Sequence, residues 1–325
     1  MNKLTVAVGE YPHAQAWLDG DLELEGYRVE PVQVRPIIGA YRRMIRDLEF
    51  DVCEMAPVTY LMAREAGVAI TGIPVFLNRR FHHTDVQCAA GSGVRVPKDL
   101  TGRRIGVRAY SVSTGVWVRG VLSSQYGVDV DSITWVTDDD DHVEGRTPAG
   151  VERVRDGRSL GEMLRAGDLD AALTGNAGTG RAGAPRADWT ATVAAGAPET
   201  DPYPLFPDGE VLGVDWYLRT SVYPLHSMIV MRSELAEQDP QLATALYSVL
   251  AESKRRQVAA DPQFSAQPRL ARQGRQINAD PIPYGITANA TSLSAMVGFA
   301  AGQGLLEAGD TSLSSLFADG DYPDA

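Results

Sequence analysis

Apolar residues alternate along the chain in short runs that read as strands. LTVAV at 4–8 comes first and VEPVQV at 29–34 second. Pro31 in the second run has no N–H for a ladder, which predicts an edge strand. FDVCEM at 50–55, AITGIPVF at 69–76, TDVQCAA at 84–90 and RIGV at 104–107 follow, then ITWVT at 133–137, DAALT at 170–174 and SMIVM at 227–231. Helical spacing appears between them. Ile37, Tyr41, Met44, Ile45 and Leu48 share one face, and Val58, Leu61 and Met62 a second. The stretch 113–126 is a third, with Val116, Trp117, Gly120 and Val121 inward. Leu160, Met163 and Leu164 start a fourth that Gly167 would stop. Leu242, Leu246, Val249 and Leu250 mark a long helix near 241–259, and Leu293, Met296, Val297 and Ala300 another. Strands alternating with helices predict an α/β protein with mainly parallel sheet.

Two stretches interrupt the alternation, 138–158 and 175–210, both rich in Asp, Gly, Ala, Pro and Arg. Irregular segments of that length are expected as lids or mobile excursions, and 175–210 equally as a subunit contact. The four carboxylates Asp138 to Asp141 read as a solvated loop. The strand at 84–90 leads into a new βα unit, PKDLTGRRIGV, and the chain later reaches YPLHSMIVM before a long helix. This path predicts two lobes, 1–88 with 227–325 and 89–226, with a ligand cleft between them.

Composition narrows the partners. Among 325 residues, 30 are Lys or Arg and 42 Asp or Glu, a net charge of -12. A broad basic surface is excluded, so no nucleic-acid partner is expected, and an anionic substrate would need a local positive pocket. Two cysteines, Cys53 and Cys88, make neither a disulfide framework nor a zinc-finger site. LTVAV after Lys3 is too short for a signal peptide, and no run reaches membrane-spanning length. A cytoplasmic protein with no membrane partner is the expectation. A homo-oligomer is left open.

The densest chemistry is NRRFHH at 78–83, just after the strand ending at Phe76. Arg79 and Arg80 have the planar fork that grips a carboxylate, and an unperturbed histidine at position 83, His83, would suit proton transfer. In an extended segment only one of His82 and His83 would face the cleft. A solvated cationic loop describes the same residues equally well. Glu54, at a strand end, could take a phenolic proton or orient a histidine. Its plainer alternative is an ion pair with Arg43, which also counts among the substrate-binding candidates. Ser111, Ser113 and Thr114 open a helix whose free N–H groups favour an anion, or simply cap it. His13, Tyr11, Arg219 and His226 complete the set. No HxH or HExxH spacing supports a metal, and neither GxSxG nor a phosphate loop is present, so no metal or other cofactor is expected.

Taken in order, VGEYPHAQAW, FDVCEMAPVTYL, GIPVFLNRRFHHT, PKDLTGRRIGV, STGVWVRGVLSSQYGVD, LFPD, WYLRTSVYPLHSMIVMR and PYGITANATSLS resemble the 4,5-dihydroxyphthalate decarboxylase family. The likeness runs from near residue 5 to near 317. It implies a two-lobed type II periplasmic-binding-protein-like fold with two crossover strands and a central cleft. It also implies nonoxidative loss of carbon dioxide from a hydroxylated aromatic acid, without an organic cofactor. By family position it favours His83 over His82, and makes catalytic candidates of Glu54, His13 and His226. The chain departs from the family pattern at TGNAGTGRAGAPRA, at His82 and around His226. A solute-binding protein for a small carboxylate, or a dehydratase on the same fold, would use the same clamp residues.

Overall fold

The computed structural model describes residues 1–180, 201–307 and 312–325. Its strands are β1 (Asn2–Ala7), β2 (Tyr27–Pro31), β3 (Val52–Met55), β4 (Ile70–Arg79), β5 (Val86–Cys88), β6 (Arg104–Val107), β7 (Thr134–Thr137), β8 (Glu152–Arg153), β9 (Ala171–Leu173), β10 (Tyr203–Pro204) and β11 (Leu225–Arg232). The helices are α1 (Pro12–Leu18), α2 (Ile38–Asp47), α3 (Pro57–Glu65), α4 (Ser113–Tyr126), α5 (Leu160–Ala166), α6 (Gly209–Thr220), α7 (Ser233–Gln238), α8 (Leu242–Ala260), α9 (Pro268–Ile277) and α10 (Ala290–Gly302). The chain forms two compact units. Unit 1 holds Met1–Arg80, Trp216–Gly298 and Leu306–Ala325; unit 2 holds Phe81–Asp215 and Phe299–Leu305. The chain thus leaves unit 1 at the end of β4, and 299–305 joins unit 2 although its sequence neighbours do not.

Unit 1 is built on a five-stranded sheet of order β2-β1-β3-β11-β4. β1 runs parallel to β2 and β3, whereas β11 is antiparallel to both β3 and β4. β2 occupies an edge, where Pro31 costs no ladder bond. Unit 2 has a six-stranded sheet of order β10-β5-β9-β6-β7-β8, with β5 antiparallel to β9 and β10. Both sheets are therefore mixed rather than mainly parallel. Strand direction is not written in apolar alternation, which is identical for either pairing.

The core of unit 1 gathers Leu4, Val52, Ile73, Val75, Ile229, Leu246 and Leu250, with Trp17 of α1 against the same cluster. Each such side chain contributes about 1.5–3 kcal/mol on full burial. Unit 2 closes over Val136, Leu160, Leu164, Leu169 and Ala172. Local chemistry sets the helix ends. Ser159 and Glu162 form a capping box at the start of α5, and Gly167 at φ 79° ends it. Gly127 at φ 61° ends α4. Within α4, Gly120 faces the Phe299 ring, and a Cβ there would come within 2.2 Å of it.

The acidic run is not a solvated loop. Asp138, Asp139 and Asp141 are buried. Arg153 pairs with Asp140, and Arg108 lies 4.0 Å from Asp139. A carboxylate can leave water when cations and donors meet it, and here they come from neighbouring segments that local sequence does not reveal. The lid or subunit contact expected for 175–210 lies mostly at 181–200, outside the described residues. Among the described residues no helix is long and apolar enough to cross a membrane.

Candidate functional site

In unit 1 the site grows from two adjacent parallel strands. Val6 pairs with Val52 and Ala7 with Cys53, so the carboxyl ends of β1 and β3 lie side by side. Glu54, near the end of β3, is 1% exposed. Its Oε2 accepts the Gly9 N–H at 3.0 Å, and its Oε1 accepts the Tyr11 hydroxyl at 2.8 Å and the Tyr41 hydroxyl at 2.9 Å. Gly9 has no side chain for a reason: a Cβ would stand 3.0 Å from both Glu54 Oε2 and the Tyr11 ring. Glu54 has no cationic partner among the described residues. Burial pushes its carboxyl pKa up, and the amide and hydroxyl donors draw it part way back. Burial, then the Glu54 charge, push Tyr11 and Tyr41 well above the ordinary phenol value. Both phenols therefore stay protonated donors.

Tyr11 is half-buried at the N-cap of α1, and His13 follows inside that helix, fully buried. The two rings lie 5.3 Å apart, and His13 meets the edge of Tyr284 at 6.4 Å. Neither His13 ring nitrogen makes a hydrogen bond of good geometry, although Gln267 and the Leu77 backbone lie near enough to influence its titration. Burial lowers its pKa to about 4, so the imidazole is neutral at pH 7.

Cations flank this group. Arg79, from the end of β4, is buried; its Nη2 donates to the Tyr223 carbonyl at 2.6 Å and to Ser292 Oγ at 3.2 Å. Its guanidinium lies 4.6 Å over the Tyr223 ring, and burial lowers its pKa to about 10. Arg79 thus pins the chain around itself. Half-buried Arg80 gives its backbone N–H to Pro224. Arg269 of α9 donates to Asn78 Oδ1 at 2.6 Å and lies close enough to Tyr11 to act on its phenol. Lys254 of α8 pairs with Asp280, donates to the Ala325 carbonyl at 2.7 Å and sits 4.9 Å over the Tyr284 ring.

Other candidates fall elsewhere on unit 1. Arg43 does not meet Glu54; it pairs with Glu49 and lies over the Phe50 ring at 4.9 Å. Arg43 stands two residues after Tyr41, roughly half an α-helical turn, which puts it away from the buried face that Tyr41 presents. Arg219 is exposed on α6. His226 is half-buried where the β11–β4 register shifts, and its neighbour Ser227 is the residue that weighs on Tyr11 and Glu54.

Unit 2 holds the remaining candidates. NRRFHH does not run on as an extended segment, because His83–Asp85 form a 3-10 turn. Both histidines are buried. His82 Nδ1 donates to Asp85 at 2.7 Å. His83 Nε2 pairs with Gln125 Oε1 at 3.0 Å, with the Phe206 ring at 5.7 Å and the Tyr126 ring at 6.2 Å. At the start of α4, the Ser111 N–H and hydroxyl both donate to Asp141 Oδ1, at 2.7 and 2.6 Å. The anion beside Ser111 is the chain's own carboxylate. Ser113 and Thr114 are buried next to it. Arg119 is also fully buried, bonded to the Tyr110 carbonyl at 2.6 Å and to Gln303 at 2.6 Å.

The structure brings Tyr11, His13, Glu54 and Arg79 into unit 1's polar interior, together with Tyr41, Ser227, Lys254, Arg269 and Tyr284, which sequence reading missed as functional. Tyr41 carried a signal, a hydroxyl on an otherwise apolar helix face. Arg269 carried none. Among the described residues no group of three or more His, Cys, Asp or Glu is gathered closely enough for a metal ion.

A family model described as NMT1/THI5 like matches residues 43–152. The chain is 32% identical over 262 residues to the 4,5-dihydroxyphthalate decarboxylase of Comamonas testosteroni, covering 78% of this chain and 74% of that one. The 4,5-dihydroxyphthalate decarboxylase of Pseudomonas putida is 31% identical over 185 residues, 53% of this chain and 71% of its own. Among solved structures, the periplasmic aliphatic sulphonate binding protein SsuA of Escherichia coli matches with a TM-score of 0.52 at 10% identity, over 98% of both chains. A mutant of the desulfurization enzyme DSZB in complex with biphenyl-2-sulfinic acid matches with a TM-score of 0.52 at 14% identity, over 98% of this chain and 96% of that one. At such identities these structures show the fold alone, a periplasmic-binding-protein-like α/β fold.

Proposed function

Because the chain belongs to the 4,5-dihydroxyphthalate decarboxylase family, we propose that it is a carboxy-lyase that removes carbon dioxide, without oxidation, from a hydroxylated aromatic acid of the 4,5-dihydroxyphthalate kind. The observation that carries this reading beyond family membership is the buried Glu54 carboxylate under two phenols, with a neutral imidazole and a guanidinium alongside.

The chemistry asks for two proton movements. A ring hydroxyl gives up its proton, so that its electrons push into the ring, and the carbon bearing the carboxylate takes a proton. The carbon–carbon bond then breaks, its electron pair restores the aromatic ring, and carbon dioxide leaves. One proton is consumed overall. Glu54 is suited to the first movement. Burial makes it a stronger base than a surface carboxylate, and half-buried Tyr11 can accept from the substrate hydroxyl while passing its own proton inward. Arg269 is suited to hold a substrate carboxylate near Tyr11. Neutral His13 supplies a ring nitrogen without adding a charge. The second movement needs an acid beside the carbon that bears the carboxylate.

The test is incubation of EDTA-treated protein with 4,5-dihydroxyphthalate and related hydroxybenzoic acids, following carbon dioxide and the aromatic product. Turnover of one member is expected, together with loss of turnover in Glu54→Gln. Tight binding of these acids without any product would overturn the lyase reading.

A further inference from the structure

Unit 1 contains a concavity that the proposed chemistry does not use. It is a pocket of about 980 Å³ walled by α8, the 261–267 loop, α9 and the 278–281 turn, with Ala325 at one side. This volume is in the range of small-molecule sites. Its walls are apolar: Val258, Phe264, Leu270 and Ala271 line it and pack as one cluster. Phe264 reaches that cluster from a left-handed backbone, φ 52°, which is costly for a residue with a ring. The loop holds the conformation through Phe264 N–H to the Asp261 carbonyl at 3.1 Å and Gln267 N–H to the Phe264 carbonyl at 2.8 Å.

The charges in the pocket are unequally matched. Lys254 is held by Asp280 and the Ala325 carbonyl, and Arg255 by Glu252. Arg275, exposed on α9, has no ion pair or hydrogen bond among the described residues. An apolar chamber with one uncommitted guanidinium favours a ligand with an apolar body and one acidic group.

We propose that this α8–α9 pocket is a binding site for a small organic anion with an aromatic or aliphatic body, separate from the Glu54 cluster. Its occupancy bears on that cluster through one side chain. Lys254 lines the pocket and also lies 4.9 Å over Tyr284, whose ring meets His13 at 6.4 Å.

The experiment is a fluorescence titration of the full chain with anilinonaphthalene sulfonate, an aromatic anion that brightens in apolar surroundings. Saturable one-to-one binding is expected. Ser248→Trp, at an exposed lining position of α8, should abolish it by filling the mouth. Arg275→Glu should weaken it about tenfold or more, the loss of a charge-assisted hydrogen bond. Circular dichroism should show both variants folded, since both positions are exposed. No saturable binding by the parent chain overturns the proposal, as does binding that survives Ser248→Trp. Binding undiminished by Arg275→Glu overturns the anionic class. If sedimentation shows the parent chain self-associating and Ser248→Trp dispersing it, the pocket is an interface between copies and the proposal also falls.

Discussion

Glu54→Gln separates the two consequences of burying a carboxylate among hydroxyls. Glutamine keeps one carbonyl oxygen for Tyr11 and Tyr41 but turns an NH₂ toward the Gly9 N–H, which now donates at 3.0 Å. Two donors then face each other, at a cost of about 1–3 kcal/mol that does not depend on pH. The opposing effect does. Burial raises the Glu54 pKa above its ordinary value of 4.5, so the folded state holds that proton more tightly than the unfolded chain. The contribution of Glu54 to stability is fully present below 4.5 and is lost as pH rises through the folded value. Each unit of upward displacement corresponds to about 1.4 kcal/mol that glutamine does not lose. Urea unfolding followed by circular dichroism at pH 4 to 8 should show Glu54→Gln weaker than the parent at the acid end and gaining on it as pH rises. Turnover should meanwhile fall about 10²–10⁴-fold, the usual loss for a general base. A variant that loses ground as pH rises would mean that the fold stabilises the charged carboxylate. Glu54 would then be a weaker base than a surface carboxylate, and unsuited to take the phenolic proton.

His13→Gln should flatten the acid limb of the stability curve. The folded pKa near 4 lies below the ordinary 6.5, so stability is present above 6.5 and lost as pH falls through 4, by about 3 kcal/mol, and unfolding between those values measures it. Arg269→Gln should raise KM about tenfold or more with a smaller effect on kcat, whereas Arg43→Gln, whose partner is Glu49, should leave both near the parent values in the same assay. Gly120→Ala should destabilise unit 2 by about 1–3 kcal/mol, because the new Cβ falls 2.2 Å from the Phe299 ring, and a thermal melt would show it.

Periodicity located most of the scaffold because each element buries one face. The 113–126 helix has the boundaries its apolar spacing and Gly127 predict, and β6 coincides with RIGV. Shorter or more polar helices escaped. In α1, Pro12 opens a single apolar turn or two after β1, too short for a repeating stripe. α9 spends five of its ten positions on Arg and Gln around Leu270 and Ile277, and reads as loop until Phe264 and Ile282 are seen to cover its apolar side. The cluster was legible where a residue ends a strand or follows one, as for Glu54 and Arg79, and for Tyr11 and His13. It was illegible where the partner arrives from across the chain. Tyr41 lies in the helix before β3, and Arg269 is separated from Asn78 by 191 residues of chain. Topology makes those encounters, and one sequence does not encode topology locally.

The order of unit 1's sheet also bears on how the protein is made. β11 lies between β3 and β4, giving both strands their shared neighbour. It emerges from the ribosome roughly 150 residues after β4, a delay of roughly 8–30 s at about 5–20 residues per second. Through that interval β3 and β4 carry open hydrogen-bonding edges in an apolar setting, while nearly all of unit 2 is already synthesised and contiguous. The nascent chain therefore has a window in which its first segment, Met1–Arg80, is adhesive while the following segment, Phe81–Asp215, can fold.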